Sequence, residues 1–277
     1  MIDIRQSVQY ADFLRREGWT VERIKNTNYF IKKLPLVGSV LKLQRPQNLD
    51  LNTVDKLCRK YGVFQTIIEP KDIVHGSLLT DHGFRLSKNT YLPSKTLQID
   101  LTQPTEKIYA KFTKDCKYSV RRGEKIKIME YSTPDKIKLW RAAWKSSVKF
   151  DRYVPSLVSL LNLRKYFPDG DSIFLASHNI FSKVIGGALF TRTSHGIGYY
   201  WYGFTNSEGR TSLSQYSLLY HGILWAKKNS CKVFDFEGIY DSRFPNKSWL
   251  GFSHFKKSFG GVEVLYLGCY TKLRFPL

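Results

Sequence analysis

Apolar residues along this chain switch repeatedly between a period of two and a period near 3.6, and that alternation restricts the fold more than any other feature. The run TLQIDL, Thr96 to Leu101, alternates as a strand does. The stretch PTEKIYAKFTKDCKYSVRRGEKIKI after it predicts a helix and then a second strand. Asp135 to Lys149 has helical spacing and carries Trp140 and Trp144 four apart. SIFLASHN, KVIGGALFTRT and GIGYYWYGF then read as three consecutive strands, Ser214 to Asn229 as a helix, and CKVFDFEGI as a buried strand. Upstream, QYADFLRREGWTVERI predicts a short amphipathic helix stopped by Gly18 and followed by a strand. KLPLVGSVLKLQRP suggests strands around a tight loop, Leu51 to Gly62 a helix, and VFQTIIEP another strand. Strands and helices interleaved in this order predict a mixed α/β architecture, helices covering central sheets.

The chain has 277 residues, no internal repeat and no low-complexity linker, which suits one large domain or two small ones. No apolar window reaches the length of a membrane-spanning helix, and the charged N-terminus has no apolar signal core, so a cytoplasmic location is expected. Cys58, Cys116, Cys231 and Cys269 are dispersed without a metal or disulfide pattern and read as buried small hydrophobes. The histidines, His178, His195 and His221 among them, show no triad or metal spacing, so no metal site is expected. Charge is more telling. Lys and Arg number 44 against 23 Asp and Glu, a formal net charge of +21. That far exceeds the magnitude of about 2–8 that solubility asks of a small domain, and it favours a polyanionic partner.

Three segments carry chemistry. Lys114, Lys117, Arg121 and Lys125 fall 3, 4 and 4 apart, one face of a helix, with Tyr118 and Arg122 beside them and Gly123 weakening the last turn. Phosphates along a nucleic-acid backbone would relieve the repulsion within such a stripe; a plain solvated helix face is the alternative. HFKKSFGG, His254 to Gly261, brackets two lysines with aromatics. A lysine desolvated between rings is an electrostatic clamp for a developing oxyanion, whereas a surface loop with a glycine stop needs no such role. FDFEGI, Phe234 to Ile239, puts Asp235 and Glu237 on one face at a strand's end, where Asp235 is a candidate proton acceptor or merely a cap.

In order and spacing, PSKTLQIDL, K-x-x-K-Y-S-V-R-R-x-E-K, YYWYGF, LLYHGILWAKKNSCKVFDFEGI and FKKSFGG resemble the FemABX peptidyltransferases. The likeness runs from the Q-x-x-x-F-L-x-x-x-G-W opening at Gln9 to the C-terminal strand and is strongest from Pro93 onward. The resemblance implies two acyl-CoA N-acyltransferase-like (GNAT-like) domains. Residues 1–94 plus 265–277 would form the first, holding the acceptor, and 95–264 the second, on the aminoacyl-tRNA side. It implies transfer of an amino acid from aminoacyl-tRNA to the stem-peptide amine of UDP-MurNAc-pentapeptide or lipid II. No cofactor is expected, a monomer is expected, and peripheral contact with the inner membrane face stays open. By the same resemblance Lys256, preceded by Phe255, sits near the reacting carbonyl, and Arg15 or Arg16, Arg210 and Tyr216 hold the sugar-nucleotide phosphates. The stripe Lys114, Lys117, Arg121, Arg122 and Lys125 would meet the tRNA. Two departures stand out: no heptad run is long enough for the family's coiled-coil arm, and the first domain is short.

An acyl-CoA-dependent enzyme on the same fold is the first alternative. Its glycine-rich pyrophosphate loop finds no match in NSEGRTSLSQYS, which has one glycine. A non-catalytic nucleic-acid-binding protein is the second; it leaves FKKSFGG and FDFEGI without a task.

Overall fold

The computed structural model describes residues 1–149 and 152–274. In chain order the elements are α1 (Val8–Arg16), β1 (Thr20–Ile24), β2 (Thr27–Leu34), β3 (Gly38–Gln44), α2 (Leu51–Lys60), β4 (Val63–Glu69), α3 (His75–Asp81) and β5 (Arg85–Leu86). There follow β6 (Lys95–Asp100), α4 (Thr105–Ala110), α5 (Lys114–Gly123), β7 (Lys127–Glu130), α6 (Pro134–Ser147), α7 (Leu157–Tyr166), β8 (Ser172–His178), β9 (Val184–Arg192) and β10 (Ile197–Thr205). The chain ends with α8 (Ser207–Thr211), α9 (Ser214–Lys228), β11 (Val233–Asp235), α10 (Leu250–Lys257), β12 (Val262–Leu265) and β13 (Tyr270–Leu273).

Local chemistry accounts for most helix starts. The side chains of Ser7, Asp50, Thr113, Thr133, Ser156 and Asn206 accept from backbone N–H groups in the first turns of α1, α2, α5, α6, α7 and α8. Pro134 adds a preset φ where its missing N–H costs nothing. Gly18, at φ +78°, ends the α1 region in the left-handed conformation that glycine adopts without penalty.

The chain divides into two compact units. One comprises Ile2–Thr96, Gly238–Leu250 and Val264 onward; the other comprises Leu97–Glu237 and Gly251–Glu263. Gly238–Leu250 therefore groups with the N-terminal stretch rather than with the residues flanking it in sequence. Of the segment 265–277, residues 275–277 lie outside the described residues. Both sheets are mixed. The first runs β1-β2-β3-β4-β13-β5, with β3 and β4 parallel and β13 antiparallel to β4. Its core joins Tyr29, Ile31, Leu41, Leu43 and Ile68 to Val54 and Leu57 of α2.

The second sheet runs β12-β6-β11-β10-β9-β8-β7; β9 pairs antiparallel to β8 and β10, and β11 runs parallel to β10. Trp140 of α6 is fully buried and donates from Nε1 to the Leu175 carbonyl at 2.9 Å, so this large ring is both packed and satisfied. The longest helix among the described residues is α9, at 15 residues, so none of them forms a coiled-coil arm.

Some elements differ from the sequence expectation. PTEKIYAKFTKDCKYSVRRG forms two helices, because Thr113 takes an extended backbone and caps a new helix instead of continuing α4. Helices α3 and α7 are additional to the expected set, and two strands rather than one follow FKKSFGG. All four cysteines are free and buried.

Candidate active site

The site is built where β11 parts from β10. Their parallel register covers only Ile197–Tyr199 against Val233–Asp235. Beyond it, β10 is irregular between Tyr200 and Tyr202 and continues to Thr205 against β9. β11 stops, since Glu237 takes φ +53° and cannot extend the strand. That corrects the expectation of Asp235 and Glu237 on one strand face. Asp235 is buried at the strand end, with Oδ1 accepting from the Glu237 N–H at 2.8 Å and Oδ2 from Gln98 Nε2 at 2.7 Å. Holding this turn is what the capping alternative predicts for it.

Lys256 comes from α10, so HFKK is helical rather than part of a surface loop. Only 7% of the residue is exposed. Its Nζ donates to the Phe236 carbonyl at 2.7 Å and lies 5.4 Å and 5.0 Å from the ring centres of Tyr200 and Phe252. Burial pulls its pKa down to about 8, with the Glu237 and Asp235 carboxylates opposing the shift. Desolvation thus leaves the ammonium protonated at neutral pH but within reach of titration.

Tyr200 forms one wall. Its hydroxyl accepts from Gln215 Nε2 at 2.7 Å, and burial raises its pKa so that it stays neutral. A Cβ at Gly203 would lie 1.9 Å from that hydroxyl, which explains the glycine within YYWYGF. Phe255 packs edge-on against Tyr216 at 4.8 Å, and Tyr216 stacks on Phe259 at 5.7 Å. Lys256, Phe255, Asp235 and Tyr216 therefore belong to one cluster around the end of β11 and α10. Tyr200, Gln215, Gln98 and Phe252 complete it and were not singled out by sequence. Four aromatics in the run YYWY gave no way to tell which one faces the gap.

The other expected residues lie elsewhere. Arg210, on α8, is exposed and donates to the Thr205 carbonyl at 3.0 Å. Arg15 and Arg16 sit in the N-terminal unit; Arg15 pairs with Asp12 at 2.5 Å and Arg16 is exposed. On α5, Lys114 and Arg121 are exposed, and Lys117 is half-buried with Nζ on the Ala110 carbonyl at 2.7 Å. Lys125 lies past the helix end, and Gly123 is buried as the last helical residue. Among the described residues Lys114, Arg121, Arg122 and Lys125 form no ion pair. No group of three or more His, Cys, Asp or Glu among the described residues could hold a metal ion, and no described helix is long and apolar enough to cross a membrane.

No family model and no curated protein sequence matches this chain. Solved structures do. FemX shares the fold with a TM-score of 0.81 at 15% identity over 98% of this chain and 92% of its own. The C-terminal domain of a putative lysylphosphatidylglycerol synthetase from Agrobacterium fabrum follows, with a TM-score of 0.67, 12% identity, and 99% and 89% of the two chains covered. A tandem GNAT protein from the clavulanic acid biosynthesis pathway gives 0.55 at 8% identity, covering 90% and 83%. At these identities the likeness establishes the fold, which is mixed α/β with two GNAT-like domains.

Proposed function

We propose that this chain is an aminoacyltransferase of the FemABX type, moving an aminoacyl group from aminoacyl-tRNA to the stem-peptide amine of a peptidoglycan precursor. One observation carries the reading: a lysine buried among aromatic rings, where two strands part, presents an ammonium held by the Phe236 carbonyl and favoured by nearby carboxylates. Such a group is placed to meet negative charge that develops on a carbonyl oxygen. FemX and the lysylphosphatidylglycerol synthetase domain, whose folds this chain shares, support aminoacyl transfer as the reaction class.

The neutral acceptor amine attacks the ester carbonyl of the aminoacyl-tRNA. A C–N bond forms, the carbonyl oxygen becomes an oxyanion, and Lys256 stabilises it. Collapse breaks the C–O ester bond. The tRNA 3′-terminal hydroxyl leaves with a proton, and the amine's own proton passes to solvent or a carboxylate. Asp235 is the candidate carboxylate, though both its oxygens already accept hydrogen bonds. In this scheme Phe255 and Tyr216 shape the site around α10, and the α5 stripe meets the tRNA phosphates. Arg210 serves the acceptor's phosphates.

Removing an oxyanion donor typically costs about 2.7–4 kcal/mol of barrier. Lys256→Met should therefore lower turnover by roughly a hundred- to a thousandfold with the fold intact by circular dichroism; near-normal turnover would remove Lys256 from the mechanism. The direct assay mixes the protein with UDP-MurNAc-pentapeptide or lipid II and a pool of labelled aminoacyl-tRNAs. Label on the precursor supports the proposal. Label taken from acetyl-CoA, or placed on phosphatidylglycerol, replaces it with acetyl transfer or lipid aminoacylation.

A further inference from the structure

The N-terminal unit contains a cleft of about 320 Å³ that the scheme above does not use, walled by Pro93, Phe244 and Trp249 and lined by Lys88, Asn89, Thr90 and Lys247. Asp241 is the only carboxylate among its described lining residues, and it is already saturated. Its Oδ2 accepts from Ser94 Oγ at 2.6 Å and from Arg243 Nη2 at 2.7 Å, and its Oδ1 from the Arg243 N–H at 2.9 Å. Arg243 in turn donates from Nη2 to the carbonyls of Ser94 and Tyr266 at 3.1 and 2.8 Å, which fixes it against Asp241 and leaves that carboxylate no charge to offer a ligand. Burial opposes ionisation of Asp241, but its bonds from Arg243 and Ser94 hold the carboxyl below the usual range, so the pair persists at neutral pH.

The donors around this floor are in the opposite condition. The ammonium groups of Lys88 and Lys247 have no ion-pair partner, and the Asn89 amide and Thr90 hydroxyl have no side-chain hydrogen bond, among the described residues. Asn246 spends its Oδ1 on Ser248, whose N–H and hydroxyl donate to it at 3.1 and 2.6 Å, and this leaves its Nδ2 as a donor. A cleft whose one carboxylate among the described lining residues is paired internally, and whose open donors include two cations, is matched to an anion. The apolar wall adds a surface for the carbon skeleton that carries it.

We infer that this cleft binds a small molecule through a carboxylate or phosphate, with its carbon skeleton against Trp249 and Phe244.

Calorimetric titration with inorganic pyrophosphate, N-acetyl-alanyl-alanine and the amide of that dipeptide tests the site and separates its sources. A carboxylate site binds the dipeptide acid and not its amide; a phosphate site binds pyrophosphate. Losing a hydrogen bond to a charged group should weaken binding about tenfold for each lysine, so Lys88→Ala with Lys247→Ala should cost roughly a hundredfold. Lys33→Ala, an exposed lysine of β2, should change nothing. Absence of binding by all probes at millimolar concentration overturns the inference. So does binding that survives the double substitution, or that Lys33→Ala weakens equally. If the anion binds as expected while no aminoacyl transfer is found, the cleft stands and the transfer reading falls.

Discussion

At Lys256 two demands oppose each other, since an oxyanion clamp must be dry to act strongly and a dry ammonium tends to lose its proton. With a pKa near 8, against 10.5 for the ordinary side chain, the cation persists at neutral pH. Turnover that depends on the cation should fall as pH rises through about 8, and a pH–rate profile flat to pH 10 would contradict this. The sign for stability follows from the same shift. Between about pH 8 and 10.5 the unfolded chain keeps a proton that the folded chain has released, so stability rises with pH across that window. Below pH 8 the folded state carries the whole cost of a buried cation, on the order of 3 kcal/mol. Lys256→Met removes that cost but strands the Phe236 carbonyl, a loss of about 1 kcal/mol at every pH. The variant should gain most in melting temperature, relative to the parent, near pH 7, and the gain should vanish towards pH 10. A pH-independent difference would show that burial does not shift this lysine.

Among the elements, α9 lies flush on β9 because Gly222 has no side chain: a Cβ there would come within 2.2 Å of the Phe190 ring. Gly222→Ala should therefore destabilise by about 1–3 kcal/mol in urea denaturation, although alanine is the better helix former. Gly251, in the first turn of α10, meets nothing within 4 Å. Gly251→Ala should stabilise by up to about 1 kcal/mol. If the two substitutions behave alike, packing does not decide the difference. Elements of this kind set the limit of sequence reading. β8, β9, β10 and α9 were legible because each is a long, largely apolar run. α10 has eight residues, two of them lysines, and a helix that short depends on what it packs against. β11 pairs with β10 over three residues only, so the alternation of FDFE pointed to more strand than forms.

For the whole molecule, the charge of +21 matters through its distribution. Lys114, Arg121, Arg122 and Lys125 form no ion pair with described residues along and just beyond α5. If they meet tRNA phosphates, affinity should fall steeply with salt. Neutralising all four should flatten the slope of log K against log salt by roughly one for each phosphate they would have met. An unchanged slope would place the tRNA elsewhere. Periodicity and the ordered motifs determined, from sequence alone, the mixed α/β class, most of the elements and the lysine to test. These depend on neighbours a few residues apart, which the chain order records. The tertiary structure alone decided that β11 leaves β10 after Asp235, that Tyr200 and Gln215 join Lys256 in the gap, and that Asp241 is silenced by Arg243 in a cleft otherwise rich in donors. Each depends on which side chain faces which across distant segments, and burial and pairing energies settle that only once the sheets have formed.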